Sequence, residues 1–152
     1  LRRLKIRLND SRWSSDQARA KGLRRLAVAQ LGSAGVLDEK EFAKRCATLA
    51  IKTCVPNALR TAASVQKDPN RRAKLLAAAE KCEREPTRSS ALDARSAAAA
   101  DAAAYAAADA AYAADAVKRD EQLAAYCEGV VQILVDMGAP GCQWLALTES
   151  AS

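Results

Sequence analysis

Residues 91–117 read ALDARSAAAADAAAYAAADAAYAADAV. Between Ala97 and Ala116 every residue is Ala except Asp101, Tyr105, Asp109, Tyr112 and Asp115. Alanine loses no side-chain freedom on ordering and has the best intrinsic helix propensity, so the stretch predicts a long Ala-rich helix. At 100° per residue the five exceptions fall on one stripe, about a third of the circumference wide. The opposite face, made of Ala99, Ala103, Ala106, Ala110, Ala113 and Ala114, carries only methyl groups. Such a face admits a neighbouring helix at the short end of the usual spacing of about 8–10 Å. The expectation is that methyls meet protein while the carboxylates and phenols meet water or a partner.

Outward from this helix, the chain predicts an all-α protein. Its 152 residues suit one domain, and six Gly and four Pro stand near places where helices start or stop. The expected architecture is a single-domain bundle of about six or seven helices over 14–152, preceded by a basic N-terminal arm at 1–13. Leu1, Leu4 and Leu8 in the arm keep helical spacing. Ser14 with Gln17 reads as a capping box opening a helix over about 15–31, with Leu23, Leu26, Ala27 and Leu31 inward and Gly32 as its stop. Asp38 and Glu41, with Leu37 and Phe42 as a hydrophobic staple, open the next helix. It buries Phe42, Cys46, Leu49 and Ala50 and ends or kinks at Pro56. A helix over 57–66 brings Leu59, Ala62 and Ala63 to one side. Asp68-Pro69 then starts a helix with Ala73, Leu76, Ala79 and Cys82 in line. Ser90 with Asp93 is the expected cap of the Ala helix, with a break near 116–121. Leu123, Tyr126, Val130, Ile133, Leu134 and Met137 form the last apolar stripe, ending at Gly138. Pro140-Gly141 reads as the centre of a type II turn, with Trp144 packed on the body.

Charge is unevenly written along the chain. Residues 1–88 hold 21 Lys and Arg against 9 Asp and Glu, and residues 89–152 hold 3 against 9. Blocks of opposite sign either attract each other in the fold or face two kinds of partner. Five Cys at 46, 54, 82, 127 and 142 form no CxxC pair. They read as free thiols in a reducing cytosol, with Cys46 and Cys54 on one core-facing helix side. Leu1–Leu8 holds no uninterrupted apolar run and Asp residues interrupt the Ala tract, so a cytoplasmic location away from membranes is expected.

Absence of His rules out Ser–His and Cys–His catalysis. There is neither GxGxxG nor GxxxxGK[ST]. Asp101 and Asp109 stand two turns apart, about 12 Å along an axis, too far for a glycosidase pair. The sequence therefore predicts no enzyme, no cofactor and no metal site. It points to a non-catalytic protein-binding module that uses Asp101, Tyr105, Asp109, Tyr112 and Asp115, with Glu121 beside them, to cover a basic partner surface. A second reading is nucleic-acid binding by Arg2, Arg3, Lys5, Arg7, Arg12, Arg24 and Arg25, with Trp13 as a stacking group. A third is a structural or oligomerisation module whose Ala face meets a second copy in a homodimer.

The run DAAAYAAADAAYAADA, with FAKRCA on an upstream helix, resembles the Ala/Tyr/Asp-rich C-terminal half of the Imm5-type immunity proteins of bacterial polymorphic toxin systems. The resemblance covers 42–117. It implies an all-α immunity protein that neutralises a partner toxin, and it transfers no individual functional residue.

Overall fold

Capping side chains and left-handed glycines set the ends of the elements. The computed structural model describes residues 1–99 and 115–149, and they are all-α. The elements are α1 Arg2–Asn9, α2 Asp16–Ala29, α3 Glu39–Val65, α4 Pro69–Arg84, α5 Arg88–Ala99, α6 Ala116–Asp136 and a 3-10 segment, η1, at Pro140–Thr148. Gly32 (φ +70°) follows α2 and Gly138 (φ +69°) follows α6, the conformation only glycine reaches without strain.

Two caps sit away from their predicted places. Ser15, not Ser14, caps α2, its side chain accepting from the Ala18 N–H. Ser14 is spent elsewhere, on Asp120. Helix α5 begins before Ser90: the Thr87 hydroxyl accepts from the Ser90 N–H (3.2 Å) while Ser90 Oγ accepts from the Thr87 N–H (3.1 Å). This is a reciprocal capping box with Ser in the place usually held by Glu or Gln, and Asp93 has no part in it. The cap of α3 lies at its predicted position, Asp38 Oδ1 accepting from Lys40 (2.8 Å) and Glu41 (3.1 Å).

Pro56 does not end α3. The helix runs 27 residues with Pro56 inside it and buried. The two helices expected on either side of that proline are one. Leu59, Ala62 and Ala63, all buried, hold the second half in place, and their packing outweighs the single backbone bond a proline removes.

Tertiary contacts divide the chain into two compact units. Unit 1 is Leu1–Cys46 with Val117–Ser152, and unit 2 is Ala47–Ala116. Unit 2 has a core of Leu59, Ala62 and Ala63 from α3, Leu75, Ala79 and Cys82 from α4, and Ala94 from α5. The buried row of α4 is thus 75, 79, 82, while Ala73 and Leu76 of the predicted row are exposed. In α5 the buried residues are Ser90 and Ala94, with Ala97 and Ala98 half-buried against the core. Ala99, assigned by the sequence to the protein-facing side, is exposed.

Unit 1 buries Leu8 of α1, Leu23, Leu26 and Ala29 of α2, Phe42 and Cys46 of α3, and Cys127, Val130, Val131 and Leu134 of α6. Leu31, expected inward, is exposed because α2 has ended before it. Gly141 takes no positive φ. In place of a type II turn, Pro140 opens η1, which lies along α2. The glycine is there for proximity. A Cβ at Gly141 would stand 2.7 Å from Leu31 N and 2.8 Å from Ala29 O, and closer still to Val28 O. Trp144, expected on the body, is half exposed on η1. Cys46, Cys82 and Cys127 are buried free thiols, but Cys54 is exposed and takes no part in the core.

Candidate functional site

Asp101, Tyr105, Asp109 and Tyr112 lie outside the described residues, as do Ala103, Ala106, Ala110, Ala113 and Ala114. Asp115 is described: it is exposed and non-helical, immediately before α6. The basic candidates fall in unit 1. Arg2 and Arg3 belong to α1, with their side chains outside the described set. Lys5, Arg7 and Arg12 are exposed, while Trp13, Arg24 and Arg25 are half-buried.

The structure brings three of these, Trp13, Arg24 and Arg25, to a single groove of about 550 Å³ whose other walls include Asp120, Glu121 and Glu128. The groove follows from local sequence. Lys21, Arg24 and Arg25 share one side of α2 because Leu23 and Leu26 are buried on the other. Asp120, Glu121 and Glu128 lie on α6, with Glu121 and Glu128 on the side opposite the buried Val130.

Its charges are largely answered in place. Arg25 donates through Nε to Glu128 (3.0 Å) and through Nη1 to Glu149 (2.9 Å), at the end of η1. The Glu149 bond, ahead of the Glu128 charge, raises the guanidinium pKa further. Asp120 accepts from both the Ser14 N–H (2.9 Å) and the Ser14 hydroxyl, and these bonds hold its carboxyl below the usual range. The Arg119 guanidinium donates to the Arg12 carbonyl.

Trp13 is committed to the fold on two sides. Its indole N–H donates to Leu8 O (2.9 Å), and its ring covers Gly22, where a Cβ would run into Cη2 and Cζ3. That explains a glycine in mid-helix, which otherwise costs about 1 kcal/mol relative to Ala. As a free stacking platform for a nucleic-acid base, Trp13 is therefore poorly suited. The sequence offered no sign that Arg25 and Trp13 were structural, because their partners lie far along the chain or across a turn.

No family model matches the chain, and neither a curated protein nor a solved structure matches it. Among the described residues no group of three or more His, Cys, Asp or Glu is placed to hold a metal ion. No described helix is long and apolar enough to cross a membrane.

The division into units also redistributes charge. Unit 1 holds 14 Lys and Arg against 10 Asp and Glu, and unit 2 holds 10 against 8. The steep asymmetry along the sequence is mostly cancelled in space, because acidic 117–152 packs with basic 1–46.

Proposed function

We propose that this protein is a non-catalytic binding module for another protein, an inhibitor or immunity protein acting in the cytoplasm that covers a basic surface of its partner. The observation that carries this reading is the compensated groove of unit 1. Arg25, one of three cations on this side of α2, is already clamped between Glu128 and Glu149. Mixed, internally answered charge complements a protein surface better than a uniform polyanion. Glu121 remains exposed on the same wall, and Asp101, Tyr105, Asp109, Tyr112 and Asp115 add three carboxylates and two phenols of the kind suited to interface anchoring.

The test is co-purification from the source cell with a tagged chain. Tyr105→Ala combined with Tyr112→Ala should leave the thermal melt intact and remove a specific bound protein. An unchanged yield with the double variant would sink the stripe. Retention on immobilised DNA that persists at about 0.15 M salt would favour the nucleic-acid reading instead, since a weakly basic unit should release there.

A further inference from the structure

We draw no further inference here: the strongest candidate, the groove between α2 and α6 walled by Trp13, Lys21, Gly22, Asp120 and Glu121, belongs to the site already described, and nothing in the structure shows what fills it.

Discussion

Gly141 shows how a single missing methyl group can decide packing. The atoms a Cβ would strike are backbone atoms of α2, which cannot rotate aside. Gly141→Ala should therefore cost about 3 kcal/mol by forcing η1 off α2. Gly35→Ala is the contrast: φ is +73° but nothing lies within 4 Å, so only backbone strain of about 1 kcal/mol applies. Urea melts of the two variants measure the difference, and equal losses would contradict the close-approach account. At the α5 cap, Thr87→Ala and Ser90→Ala should each cost about 1 kcal/mol or more. Asp93→Ala should cost under about 0.5 kcal/mol, because its pairing with Lys81 (2.6 Å) is half exposed. These two cases mark the limit of residue-level reading. A change of chain course at Pro140-Gly141 and a capping hydroxyl near 90 were legible in the chain, though not the 3-10 segment that replaces the expected type II turn. The neighbour that made glycine obligatory was not, since Val28 is more than a hundred residues away. Neither was the choice between Ser90 and Thr87 as cap, because both satisfy the same spacing rule. The buried thiols add a pH signature. Burial pushes Cys46 and Cys127 up to about 11, so between about pH 9 and 11 the unfolded chain loses protons that the folded one keeps. Stability must fall as pH rises through that window. Cys127→Ala, though less stable overall, should show a shallower decline in stability against pH; a slope equal to the parent's would count against it.

Among the elements, α3 departs furthest from expectation. Its start was legible because Asp38, Leu37 and Phe42 obey local rules, and Phe42 is buried while Leu37 is half-buried. Its continuation through Pro56 was not, because local propensity favours a stop and only the burial of Leu59, Ala62 and Ala63 opposes it. The predicted row on α4 holds at Ala79 and Cys82 and fails at Ala73 and Leu76, for a related reason. Alanine is common on both sides of that helix, so periodicity alone left Leu75 and Leu76 nearly equivalent. Where large apolar residues are dense the pattern reads more clearly: on α6, Val130 and Leu134 are buried and Leu123, Tyr126 and Ile133 are partly so, as is Met137 just past its end. Leu59→Ala, at a fully buried site, should cost about 2–5 kcal/mol. Its loss should appear first as faster amide exchange along the second half of α3, α4 and α5.

For the whole molecule, the fold class was legible and the division into units was not. Composition and the Ala tract pointed to an all-α chain, but which helices share a core depends on contacts between residues 1–46 and 117–152. Charge followed the same course, a gradient in sequence becoming two modestly basic bodies. Separate cores give a prediction at this scale. In the Leu59→Ala variant, exchange in unit 2 should rise well above exchange in unit 1; a uniform rise would show that the chain opens as one cooperative body.

The first unit is assembled from two stretches of chain with the second written between them. During synthesis, residues 47–116 leave the ribosome as an uninterrupted block with all their core partners already made. Residues 1–46, although translated earlier, must wait for residues 117–152 before the first unit is complete. The part translated first is thus the last to finish folding, and until then its leucines are the surface most in need of a chaperone.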